Sequence, residues 1–244
     1  MRWIETAFAL GIAAAAGILQ QSPLAPQLPQ APAVPSVPAP LMQSAQPPRF
    51  LVVVDAAHGG NDTGARMGDG VLEKDLTLGI AGRLRSTLHA RGIDVVVTRT
   101  GDVNLPPLNR AEAANHAQGA ACLVIHATAT GSGVHLFTSS LAATGNTRFL
   151  PWQTAQSAYV TQSLKLESEI DSALAHAEIP VSLGRASVQP MDSVACPEVA
   201  VEMAPLVAGH VTGGKPVTDP SYQKQVVDAV AAALEQWRSD WRQE

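Results

Sequence analysis

The chain has 244 residues, 46% of them hydrophobic and 15% charged, with a formal net charge of −5. That balance, with no stripe of Lys and Arg, excludes nucleic-acid binding through phosphate neutralisation. Two cysteines, Cys122 and Cys196, are too few for a disulfide framework.

Arg2 precedes an uncharged stretch from Ala7 to Leu19. This is the length of a signal-peptide apolar region and is short for a membrane-spanning helix. No clear small-x-small cleavage site follows, so residues 1–21 read as either a signal peptide or a retained anchor associating with the membrane. Both imply export to the periplasm or cell envelope. Residues 22–48 hold nine of the 18 prolines, and Pro23, Pro26, Pro29, Pro32, Pro35 and Pro38 recur at every third position. That is the period of a polyproline II helix, which predicts a semi-rigid, extended spacer. The remaining segment, about 195 residues from 49 to 244, suits a single domain.

Within that domain Phe50 to Val54 is a continuous apolar run, the pattern of a strand buried on both faces. Leu72, Leu76, Ile80, Leu84 and Leu88 then form a helical stripe, which predicts a helix over residues 73–91 with Gly92 at its end. Residues 93–98 read as a second buried strand and 107–118 as a short helix. Two more strands are expected over 121–125 and 134–138, and a long helix over 154–177. Val199 to Val201 is a further strand core. Val226, Val230, Leu234, Trp237 and Trp241 mark a closing amphipathic helix. Strands alternating with helices predict a single α/β domain, a mostly parallel twisted sheet flanked by helices.

In such folds, sites assemble beyond the carboxyl ends of the strands. His58, His126 and Glu202 each follow a predicted strand, and Glu73 opens the first helix. Two imidazoles and one or two carboxylates from distant segments are a ligand set for catalytic zinc with a position left for water. Singly, each residue reads as readily as a structural histidine or a solvated carboxylate.

The segment VVVDAAHGGNDTGARMGDGVLEKD, residues 52–75, resembles the opening motif of zinc-dependent N-acetylmuramoyl-L-alanine amidases of the type 3 family. The likeness continues through VVVTRTGDVNLPPLNRAEAANHAQGAACLVIHATA and PEVAVEMAPL to VTDPSYQKQVVDAV. It implies one zinc ion per chain, held by His58, Glu73 and His126, and Glu202 as the catalytic carboxylate. The substrate it implies is peptidoglycan, cut at the amide between the N-acetylmuramic acid lactyl group and L-alanine. Arg99, Asp102, Arg110 and Asn115 match positions with a structural role. Some neighbours depart from the family pattern: Ala56 and Ala57 before His58, Val124 and Thr128 around His126, and Met203, Ala204 and Pro205 after Glu202. Those departures leave two alternatives open, an inactive peptidoglycan-binding or regulatory protein of this fold and a zinc peptidase or deacylase acting on another amide.

Of the other histidines, His89, His116, His135 and His176 carry no matching motif. His210, in a Gly-rich stretch after Glu202, is a candidate for touching substrate. Cys122 and Cys196 are expected as buried free thiols, with a disulfide as the alternative if their strands adjoin.

Overall fold

The structure, a computed structural model, describes residues 49–145, 149–206 and 214–241. The expected leader, the proline-rich spacer and His210 lie outside the described residues. Six strands are present: β1 (Leu51–Ala56), β2 (Asp94–Val97), β3 (Ala121–Ala127), β4 (Val134–Ser139), β5 (Val181–Ala186) and β6 (Glu198–Met203). They form one sheet in the order β2-β1-β3-β6-β4-β5. Every pairing is parallel except that of β4 with β6.

The central strands are apolar on both faces because both faces are covered. Val52, Val54 and Ala56 of β1, Leu123 and Ile125 of β3 and Val199 and Val201 of β6 share one core. Onto it pack α1 (Glu73–Ala90), α3 (Val160–His176) and α4 (Pro220–Trp241). The predicted leucine stripe of α1 supplies Leu76, Ile80, Leu84 and Leu88, of which Leu84 and Leu88 are fully buried. Truncating either to Ala would cost about 2–5 kcal/mol. Glu73 and Asp75 lie in the first turn of α1, where negative charge suits the helix dipole. The opposite face of the sheet carries α2 (Pro107–Ala117), which starts on a proline, and short 3-10 turns at Trp152–Ala158 and Met191–Ser193.

Four expectations change. β2 is an edge strand with alternating exposure, not a buried one. β5, absent from the sequence reading, closes the other edge; its residues are half-exposed or exposed, so it carries no apolar run. The expected helix over 154–177 is a 3-10 turn, broken at Thr154, followed by α3. Finally, Cys122 and Cys196 are not free thiols but a disulfide. The reason is register: β3 and β6 are neighbours, Cys122 pairs with Glu198, and Cys196 sits two residues before it. Their α-carbons are 6.1 Å apart, within bridging range.

Candidate metal centre

After β1 the chain turns sharply, and His58 takes a left-handed backbone conformation with φ 63°. A non-glycine residue there costs about 1–2 kcal/mol, so the turn must be held from outside. Arg110 Nη1 donates to the Ala56 carbonyl at 2.7 Å and Nη2 to that of His58 at 2.6 Å. Arg99 donates to the carbonyls of Ala56, Ala57 and Lys74 at 2.9, 3.1 and 2.7 Å. Both guanidiniums are buried, and Asp55 pairs with Arg110 at 2.7 Å. Asp102 accepts from Gly60 N–H and from Lys74 Nζ, both at 2.7 Å, so the loop is also tied to the start of α1. Asn115 bridges Ser193 and Ala195 away from this turn. The structural role implied for these four residues is what the hydrogen bonds display.

The turn presents His58 to Glu73, the buried first residue of α1. Glu73 Oε2 lies 3.1 Å from His58 Nε2, and Oε1 lies 2.8 Å from His126 Nδ1. The same carboxylate accepts the backbone N–H groups of Ala65 at 2.8 Å and Ala127 at 3.1 Å. Burial pushes this carboxyl up, but the bonds from His126, His58, Ala65 and Ala127 more than offset it and hold it well below its usual range. His58 is raised, chiefly by its bond to Glu73, against the effect of burial and with help from Asp62. Gly64 makes the approach feasible: with φ +60°, a Cβ there would sit 2.6 Å from both Glu73 Oε2 and His58 Cδ2.

One ligand atom from each of His58, Glu73 and His126 lies within 4.8 Å of the others. Two imidazole nitrogens and a carboxylate oxygen fit zinc, whose catalytic sites take three protein ligands and keep a fourth position for water or substrate. His58 also has an outer partner that the sequence reading did not single out. Asp62 Oδ2 lies 2.9 Å from His58 Nδ1, the carboxylate–histidine arrangement that fixes a ligating ring. An aspartate four residues after the histidine in a glycine-rich loop was the available signal.

Glu202 is the next-to-last residue of β6 and is in register with His126 on β3. On its other side it is in register with His135 of β4, whose Nδ1 lies 2.7 Å from Glu202 Oε2. His126, Glu202 and His135 therefore form one row across three strands. His135 carried no motif, and its place depends on the antiparallel pairing of β4, which apolar runs do not encode. Two departures near the site, Ala57 and Val124, pack with Met191 and Ala200 in a small apolar cluster. A cleft of about 380 Å³ has walls that include Ala129 and Pro205, each three residues beyond a member of the row, and Met67, Leu206 and Lys215.

Residues 52–236 match the family described as N-acetylmuramoyl-L-alanine amidase. The chain belongs to this family. A stretch of 70 residues is 47% identical to the N-acetylmuramoyl-L-alanine amidase AmiA of Escherichia coli, covering 29% of this chain and 24% of that protein. The matched stretch is thus about a quarter of that relative. Among solved amidases, Ami1 of Mycobacterium smegmatis superposes with a TM-score of 0.63 at 20% identity, over 78% of this chain and 97% of that one. AmiC2 of Nostoc punctiforme gives 0.59 at 21% identity, over 78% and 97%. At such identities these two establish the fold, a mixed sheet of six strands flanked by helices.

Proposed function

We propose that this chain is a zinc-dependent N-acetylmuramoyl-L-alanine amidase. It hydrolyses the amide between the lactyl group of N-acetylmuramic acid and L-alanine in peptidoglycan. One zinc ion per chain is held by His58, Glu73 and His126. The observation that carries this reading is the convergence of those side chains, from a loop, a helix start and a strand end, around one ionised carboxylate. Family membership supplies the reaction class, and the resemblance supplies the bond.

A zinc ion in that cluster contributes Lewis acidity toward the amide carbonyl and an acidified water. The chain's own groups do the rest. Glu73 stays anionic and Asp62 orients His58, so the ligand set is fixed before substrate arrives. Glu202 takes a proton from the attacking water and delivers it to the departing L-alanine nitrogen, which leaves as an amine. Export follows from a cell-wall substrate. In this reading residues 1–21 serve as a signal peptide or anchor and residues 22–48 as a linker. The disulfide supports an oxidising compartment.

The test is Glu202→Gln, which keeps shape and removes the base. The variant should retain zinc and the fold while hydrolysis falls by about 10²- to 10⁴-fold. Loss of zinc together with activity would make Glu202 a ligand and refute its assigned role.

A further inference from the structure

A glutamate that shuttles a proton must present one oxygen to the reaction in a fixed direction, yet its side chain turns about several bonds. Partly exposed Glu202 is the penultimate residue of its strand, so the backbone alone does not fix the carboxylate. His135 does what the backbone cannot. Its Nδ1 is 2.7 Å from Oε2, and the antiparallel register places it directly across from Glu202.

His135 is itself locked in place. Gly131, with φ +90°, lies against the ring: a Cβ there would meet Cε1 at 2.5 Å and Nε2 at 2.7 Å. The loop bearing Gly131 is stitched to the end of β6, since Gly133 N–H donates to Pro205 O and Ala204 N–H to Gly133 O, each at 2.9 Å. The hydroxyl of Tyr222, a fully buried residue of α4, adds a bond to Gly133 O at 2.8 Å. A ring that lies against Gly131, two residues before the pinned Gly133, and is aimed at one carboxylate oxygen is a built support, and a bond to a carboxylate acceptor is among the stronger hydrogen bonds.

We propose that His135 is a positioning residue for Glu202, its Nδ1–H holding Oε2 so that Oε1 carries the proton. The inference rests on Glu202 being the shuttle. His135 exchanges no proton: Oε1 takes one from water and passes it to the leaving nitrogen, and the Nδ1–H···Oε2 bond persists throughout.

The experiment compares His135→Phe, His135→Asn and Glu202→Gln in the zinc-loaded full chain, with a muropeptide as substrate. Phe keeps a ring on Gly131 and removes the donor; Asn restores a donor close to the Nδ1 position. His135→Phe should lower kcat by about 10- to 100-fold, the range expected for losing one hydrogen bond to a charged group, with KM and zinc content unchanged. His135→Asn should recover most of that loss. Adding His135→Phe to Glu202→Gln should produce no further fall. Parent-like kcat in His135→Phe, beside a disabled Glu202→Gln, would overturn the role of His135 and leave the shuttle standing. Equal losses in Phe and Asn that track a lowered melting temperature would also overturn it, as a merely structural role. Parent-like turnover in Glu202→Gln would remove the shuttle itself and this inference with it.

Discussion

Arg110 donates from Nη2 to the backbone carbonyl of His58 at 2.6 Å. A helix on one face of the sheet thereby holds the residue that turns the chain into the metal cluster. The same guanidinium pairs with buried Asp55 at 2.7 Å. Arg110→Met should therefore act in two separable ways. Asp55 loses its buried partner, at a cost of about 3–5 kcal/mol in stability. The freed His58 turn should weaken zinc binding by about 10- to 100-fold. Denaturant unfolding and a competitive zinc chelator measure the two; unchanged zinc affinity in a folded variant would show that the turn holds itself.

Glu167 provides a pH test away from the metal. It is a buried residue of α3, and burial pushes its carboxyl up to about 7, with Arg185 opposing and Asp171 adding. The folded state thus favours the protonated form. Stability is retained below the unfolded value of 4.5, falls as pH rises toward about 7, and is flat above it. Glu167→Gln should raise the melting temperature at about pH 8 and change it little at about pH 5. An equal gain at both pH values would contradict the assignment.

How much of this was legible in the sequence depends on what each feature rests on. The two-sided apolar runs of β1, β3 and β6 and the leucine stripe of α1 are local patterns, and the structure has them within a few residues. His58 and His126 at strand ends and Glu73 at a helix start were candidates from position, and the motif resemblance joined them into one set, which the structure brings within 4.8 Å. β5 was not, because Ser182, Leu183 and Arg185 face solvent at a sheet edge and leave no buried period. The Cys122–Cys196 bridge, expected only as the alternative to free thiols, and the His135–Glu202 pair, not foreseen at all, were hard to read for a common reason. Both depend on which strands adjoin β6 and in which direction, and pairing is not written in any one segment.

The disulfide closes a separation of 74 residues between β3 and the segment that leads into β6. On chain-entropy grounds a loop of that length is worth about 4 kcal/mol. The double variant Cys122→Ala, Cys196→Ala should lose stability of that order in urea unfolding. Protein unfolded without reductant should take up no thiol reagent. Two alkylated cysteines under those conditions would show that the bridge is not formed.

The central claim is that this family member cuts the lactyl–L-alanine amide. Zinc-loaded protein incubated with purified sacculi, with the soluble products identified by mass spectrometry, tests it most directly. The expected products are stem peptides beginning with a free L-alanine amine and glycan strands whose lactyl groups end in a free carboxylate. Intact sacculi, or peptides cut within the stem while that amide survives, would contradict the claim.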